Sequence, residues 1–277
     1  MPGGTSFYFS KAIRHMDVKY GLVTAVGNDG LPFVADLRTQ GTQVTVFPSN
    51  HTVYFENIYA DQLDHRTQRV LQQADAFTVE QLENTDAHIF HLGPLLAGDI
   101  PLELIQTLAG KAKVSLDVQG YLRVVSEQQV CAVDWTAKKE ALAYVHFVKA
   151  DETELEVLTG CADLYEGAKL LASWGVKEIV ITKASLGSVI YVDGVFYDIP
   201  AFIPEIEVDA TGCGDTYMAG YLYSRVKGRE IQESGEFGAG MAGLKISASG
   251  PFNGTEEEIM AFIAEVSSCK RHLNIFL

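Results

Sequence analysis

Asp209-Ala210-Thr211-Gly212-Cys213-Gly214-Asp215 stands directly before the helix-like stretch Thr216–Val226. Two glycines around a single residue let a backbone turn tightly and approach a ligand closely. If that turn opens a helix, its N–H groups lie at the positive end of the helix dipole and form an anion cradle. Such a cradle suits a phosphate, or the charge on a phosphoryl group being transferred, and Gly212, Cys213 and Gly214 would each offer an amide. Asp215 is an odd neighbour for a phosphate because it is itself an anion. It fits if it handles a proton: it could take the proton of an attacking hydroxyl while the amides hold the phosphoryl group. The plain alternative is an N-capping aspartate beside a glycine turn.

Other residues with usable chemistry are scattered. Asp151 and Glu154 have the spacing of an N-cap and its N3 partner, so on their own they read as a capping box. Asn57, Gln119 and Arg123 carry side-chain hydrogen-bond donors and acceptors. Equally, Asp117 and Gln119 could simply end a strand, with Arg123 paired to an acid. Lys183 reads just as well as a solvated turn lysine, and Ala239, Ala242 and Ile246 as helix core.

Something must position these groups, and the apolar pattern says what. Short β-branched or aromatic runs occur at Leu22–Val26, Val44–Phe47, Thr52–Phe55, His88–Leu92, Val114–Asp117, Val145–Lys149, Glu178–Thr182 and Ser188–Val192. Most are apolar almost throughout, as strands covered on both faces must be. The clearest helix is Asp163–Trp174, where Leu164, Ala168, Leu171 and Ala172 share a face; Asp163 with Glu166 reads as a capping box and Gly175 as the stop. From residue 85 to 182 strand and helix alternate, the signature of a parallel sheet with helices on both faces. Ser188–Val192 and Val195–Ile199, joined at Asp193-Gly194, predict a hairpin. Helical stretches near Gly214–Lys227, Ile231–Ala248 and Thr255–Ser268 close the chain. No repeat, low-complexity tract or linker interrupts it, so one α/β domain over residues 1–277 is expected.

Composition narrows the partners. The chain has 277 residues, 36 acidic and 21 basic, for a formal charge of −15. That balance disfavours nucleic acid and anionic membranes as partners. No apolar run approaches the roughly 20 residues needed to span a bilayer, and the first residues show no signal-peptide pattern. Cys131, Cys161, Cys213 and Cys269 are scattered without a CxxC pair, which fits a reduced cytoplasm better than a disulfide framework.

The longer pattern Asp-x-Thr-Gly-x-Gly-Asp closely resembles the signature of the PfkB (ribokinase-like) carbohydrate kinases. The resemblance implies a three-layer α/β/α sandwich with a mainly parallel central sheet. It makes Asp215 the catalytic base and the amides of Gly212, Cys213 and Gly214 the anion hole, with Thr211 beside the nucleotide. Cys213 stands where the family more often has Ala. Asp151–Glu154 resembles the family's Asn-x-x-Glu segment, with Asp151 in place of Asn; there Glu154 would help organise Mg²⁺ through water, and both would lie in the cofactor site. Thr182, Lys183 and Gly187 resemble the strand-end turn that borders ATP, with Ala184 replacing a common Gly. Gly240–Gly250 is similar to the helix and loop beside adenine. Gly3 and Gly4 match the segment whose backbone holds the sugar-like substrate, while Tyr8 stands where ribokinases usually carry Asn, which disfavours ribose. Gly3–Phe7, Thr52–Asn57 and Asp117–Arg123 look like the branch that includes plant myo-inositol kinases.

The expected activity is therefore ATP-dependent phosphorylation of a hydroxyl on a sugar, cyclitol or related polyol. ATP and Mg²⁺ are the implied cofactors, with a monovalent cation and a homodimer as open additions. A nucleoside kinase, or an inactive sugar- or nucleotide-binding regulator, is the rival. The family's usual first strand, with its substrate-binding Asp and a small lid sheet, precedes the Gly-Gly segment, so this chain is expected to lack both.

Overall fold

The computed structural model describes residues 2–59 and 66–273, without the side chains of residues 57–59, 66, 67 and 269–273. The first elements are α1 (Gly4–Ile13), β1 (Leu22–Val26), α2 (Leu31–Thr39), β2 (Val44–Pro48), β3 (Tyr54–Tyr59), β4 (Arg66–Gln72), α3 (Val79–Leu82) and β5 (Ile89–Leu92). Next come α4 (Leu102–Ala109), β6 (Lys113–Asp117), β7 (Arg123–Ser126), β8 (Gln129–Ala132), α5 (Lys138–Leu142), β9 (Phe147–Asp151), α6 (Glu152–Thr159) and α7 (Leu164–Ser173). The last are β10 (Glu178–Thr182), β11 (Ser188–Val192), β12 (Val195–Ile199), α8 (Cys213–Val226), α9 (Ile231–Ile246) and α10 (Glu256–Leu273). A six-stranded sheet has the order β12-β11-β10-β9-β6-β5. The chain falls into two compact units, Met1–Tyr20 with Val180–Leu277, and Gly21–Ile179.

In the unit of residues 21–179, β5, β6 and β9 are parallel, with Leu92 opposite Leu116 and Leu116 opposite Val148. Val114, Leu116, Phe147 and Val148 are buried, as the continuous apolar runs require. Leu104, Ile105 and Leu108 of α4, Leu155 and Leu158 of α6, and Leu171 of α7 are buried too, each side chain contributing about 1.5–3 kcal/mol. Asp163 caps α7 by accepting from the amides of Tyr165 and Glu166 at 2.8 and 3.0 Å. Glu166 does not return the bond; it turns to Lys169 at 2.7 Å, so the expected reciprocal box is a one-sided cap. The strand–helix alternation is also broken. β7 and β8 form an antiparallel hairpin within a separate sheet ordered β3-β4-β8-β7. Thr52, expected in a strand, instead donates to Asp29 Oδ1 at 2.6 Å and accepts from Gly27 N at 3.1 Å, so β3 starts at Tyr54.

His91 in β5 is half-buried overall, but its Nε2 is fully enclosed, and Nδ1 lies 2.9 Å from Ser115 Oγ. Burial lowers its imidazole to about 4. A histidine lowered on folding stabilises above its unfolded value of about 6.5 and loses that contribution as pH falls towards about 4. Denaturant melts at pH 7 and pH 5 should therefore differ by about 2 kcal/mol from this group, a difference that His91→Gln removes. An unchanged pH slope in that variant would contradict the assignment.

In the other unit, β11 and β12 form the expected hairpin, with Asp193 and Gly194 at φ +49° and +86°. Residues 216–224 of α8 are all buried, so this helix is enclosed rather than amphipathic. Its closest neighbour is α9: a Cβ on Gly220 would lie 3.0 Å from Gly238 Cα, and one on Gly238 would lie 2.8 Å from Tyr217 O. Ala12 and Ile13 at the end of α1, and Met16 just beyond it, pack with Tyr223, Phe237, Met241 and Ile259 in one apolar cluster. Among the described residues, no helix is long and apolar enough to cross a membrane.

Candidate active site

The glycine turn opens α8, as its sequence suggests. Cys213 N donates to Ala210 O at 3.1 Å and closes a tight turn, with Gly212 at φ +79°, ψ +7°. That is the third-position conformation of a type II turn, which only glycine adopts without strain. Gly212 O then accepts from Thr216 N at 2.9 Å as the first helical bond. The Cys213 amide is spent inside the turn, so of the three amides expected in an anion cradle it is already engaged. Asp215 lies half-buried in the first turn of α8. Burial pushes the Cys213 thiol up to about 11, with Asp209 and Asp215 adding to the effect against Lys245, so it is a neutral packing group.

Tyr8 supports the turn from α1. Its ring is buried against Gly212, where a Cβ would fall 2.2 Å from Tyr8 Cδ1. Burial, then the charges of Asp209 and Asp215, raise its phenol, which therefore stays neutral. Gly3 caps α1 and Gly4 is its first residue, which places the Gly-Gly segment in the same unit as the turn. Gly212→Val should fail twice over: the left-handed backbone costs a β-branched residue at least about 1–2 kcal/mol, and the side chain meets Tyr8. Thermal melts and turnover should both suffer. A variant with wild-type stability would place the ring elsewhere.

Asp209 fixes the approach to the turn. Its Oδ1 accepts from Thr211 N at 2.9 Å, and its Oδ2 lies 3.2 Å from Lys245 Nζ. Burial pushes its carboxyl up, but the bonds from Thr211 and Lys245 and the lysine charge outweigh this and hold it below the usual value. At the end of β10, Thr182 leads into a turn closed by Lys183 N to Gly187 O at 2.7 Å and Gly187 N to Ala184 O at 3.2 Å. Ala184 takes φ +47°, so it keeps the glycine-type backbone that the family pattern suggests for this place.

The unit of residues 21–179 holds a second group. β6 ends in Asp117, β9 carries Lys149 and ends in Asp151, and Glu154 stands in the first turn of α6. Lys149 Nζ lies 3.1 Å from Asp117 Oδ2 and 3.6 Å from Glu154 Oε2, all three side chains being about nine-tenths buried. The capping box is real: Glu154 N donates to Asp151 Oδ1 at 2.7 Å, and Asp151 N to Glu154 Oε2 at 2.8 Å. Gln119 Nε2 donates to Glu154 Oε1 at 2.9 Å, so Gln119 serves this acid. Burial raises the Glu154 carboxyl, Lys149 lowers it, and Asp117 and Asp151 raise it again. Both Glu154 oxygens already accept from Gln119 and Asp151, and among the described residues no group of three or more acids, histidines or cysteines could hold a metal directly, so Mg²⁺ would reach this acid only through water. Arg123 opens β7, and its carbonyl accepts from Ala97 N at 3.0 Å. Asn57 lies in β3 opposite Gln68, but its side chain is outside the described residues.

Neither lysine that holds an acid in place, Lys149 or Lys245, was nominated from sequence. Lys149 stands 32 positions from Asp117, and Lys245 36 from Asp209, so no local spacing reveals either pair.

Comparison with known proteins matches this arrangement to a family. The family model described as pfkB family carbohydrate kinase matches residues 18–258, which takes in every nominated residue except Gly3 and Gly4. A cytidine kinase of Thermococcus kodakarensis is 30% identical over 245 residues, covering 84% of this chain and 83% of that protein. A pyrophosphate-dependent kinase in the ribokinase family, solved with a pyrophosphate analog and myo-inositol, superposes with a TM-score of 0.83 at 30% identity, over 94% of this chain and 91% of the other. Arabidopsis thaliana ribokinase with ribose and ATP has the same fold, with a TM-score of 0.75 at 20% identity over 94% and 87% of the two chains. The mainly parallel sheet with helices on both sides is thus the ribokinase-like fold, and the chain belongs to the PfkB family of carbohydrate kinases.

Proposed function

We propose that this phosphotransferase moves a phosphoryl group from ATP to a hydroxyl of a cyclitol, sugar or related polyol. The observation that carries the reading is the left-handed Gly212 turn opening α8 with Asp215 in its first turn. The acceptor oxygen attacks the terminal phosphorus, its proton passes to the Asp215 carboxylate, and the bond to the departing ADP breaks. The Gly212 and Gly214 amides and the helix dipole stabilise the charge on the transferring group, and they are fixed before the reaction starts. Glu154 would orient Mg²⁺ through water, and Thr182, Lys183 and Gly187 would border the nucleotide. A polyol acceptor is supported by the myo-inositol bound to the pyrophosphate-dependent relative.

A second reading, a nucleoside acceptor, is favoured by the likeness to the cytidine kinase over most of both chains. One panel separates them: myo-inositol, ribose, fructose, cytidine and inosine, each with Mg²⁺ and either ATP or pyrophosphate, followed by ³¹P NMR. The proposal expects the highest kcat/KM with a polyol and ATP. A preference for cytidine or inosine would establish the second reading, and turnover with pyrophosphate alone would replace the donor. Binding without turnover on every pair would make the protein a regulator.

A further inference from the structure

Lys245 has no exposed side-chain surface, although it lies in the last turn of α9 close to that helix's end. Burying a charged amine is costly, and a well-packed apolar residue in its place is often neutral or stabilising, so a lysine here needs a reason. Its Nζ reaches one residue through two kinds of oxygen: Asp209 O at 2.6 Å and Asp209 Oδ2 at 3.2 Å. Next to it, Val208 N and Asp209 N both donate to Ile246 O, at 2.8 and 3.2 Å. The end of α9 is thereby stitched to the segment that leads into the glycine turn, and Asp209 passes the constraint on through Thr211 N.

A carbonyl and a carboxylate oxygen converging on one positive charge is what a bound K⁺ or Na⁺ would be given. Here the chain supplies the charge itself, as a compact ammonium on a long stem. Its field reaches the turn, because it opposes the upward push of burial on the Cys213 thiol. An inorganic monovalent cation does not fit at Asp209, since the lysine head already holds those two oxygens.

We propose that Lys245 is a positioning residue that acts as a built-in monovalent cation for the anion turn, so that the protein needs no added K⁺ or Na⁺. The kinetic arm of the test rests on the phosphotransferase reading above; the melting arm does not. Wild-type protein is compared in KCl, NaCl and tetramethylammonium chloride at equal ionic strength. Turnover and melting temperature should be the same in all three. Lys245→Met should lose on the order of 10²-fold in turnover, the scale expected when a reacting group is misplaced by about an ångström. In Lys245→Gly, which unlike methionine leaves the space beside Asp209 open, K⁺ or NH₄⁺, but not tetramethylammonium, should restore part of the rate and raise the melting temperature. Lys245→Arg should keep more activity than the methionine variant.

Activation or stabilisation of the wild type by K⁺ over tetramethylammonium would overturn the proposal, and so would wild-type turnover in Lys245→Met. If the methionine variant does not fold, the wild-type salt comparison still decides. If the wild type turns over no acceptor, the kinase reading fails, while the melting curves still judge Lys245.

Discussion

Asp215→Asn is expected to lower turnover by about 10²–10⁴, the usual contribution of a general base. Asparagine has nearly the same shape, so the first turn of α8 should keep its packing. What it lacks is a lone pair basic enough to take a hydroxyl proton. The loss should therefore fall on kcat, with donor affinity changed by no more than a few fold, because the Gly212 turn that would hold the phosphoryl group is untouched. Steady-state kinetics with a saturating acceptor, beside calorimetric binding of the donor, separate the two effects. More than about a tenth of wild-type activity in this variant would remove Asp215 from the base role.

Lys149→Met should be strongly destabilising. The lysine stands between Asp117 at 3.1 Å and Glu154 at 3.6 Å. Removing the cation leaves two buried carboxylates facing each other, and breaking a buried pair in this way costs about 3–5 kcal/mol. The deficit should depend on pH. Burial already raises the Glu154 carboxyl, and the Lys149 charge is the main influence against it. Without the lysine, the folded protein holds its proton to still higher pH than the unfolded chain does. Such a group weakens the fold as pH rises and stops doing so once it is protonated in both states, so the deficit should shrink in acid. Denaturant melts at pH 8 and pH 5 test this, and Lys149→Met with Glu154→Gln should recover part of the loss. A deficit below about 1 kcal/mol at pH 8 would mean that the pair behaves like an exposed one.

What the sequence reveals is what neighbours in sequence decide. β1, β10, β11 and β12 have the expected bounds, because continuous apolar runs and the Asp193-Gly194 turn are local signals. The capping box of Asp151 and Glu154 and the opening of α8 at the glycine turn are local as well. Failures occur where distant partners or silent turn chemistry decide. The β7–β8 hairpin turns on Glu127 and Gln128 at φ +48° and +66°, residues that advertise no turn as glycine or asparagine would. α1 begins at Gly4 after a cap residue, Gly3, that has no side chain, so nothing marks its start. Gln119 gives an amide hydrogen to Glu154, a partner 35 residues away that no local spacing announces. Motif spacing marks Asp151, Glu154 and Asp215, but not Asp117 and Asp209 as partners of the lysines at 149 and 245.

The bare contact between Gly220 and Gly238 bears on how the molecule opens. Where Gly220 meets Gly238 the backbones of α8 and α9 approach with no Cβ of either residue between them, so a roll or slide at that point meets backbone at once. They have to part completely or stay together. The amide hydrogens from Tyr217 to Tyr223, enclosed along the whole segment, should then exchange with solvent only when the surrounding unit unfolds, and should be among the slowest in the protein. The turn at Gly212 opens one of these two helices and the lysine at 245 closes the other, so both lie on the pair that parts last.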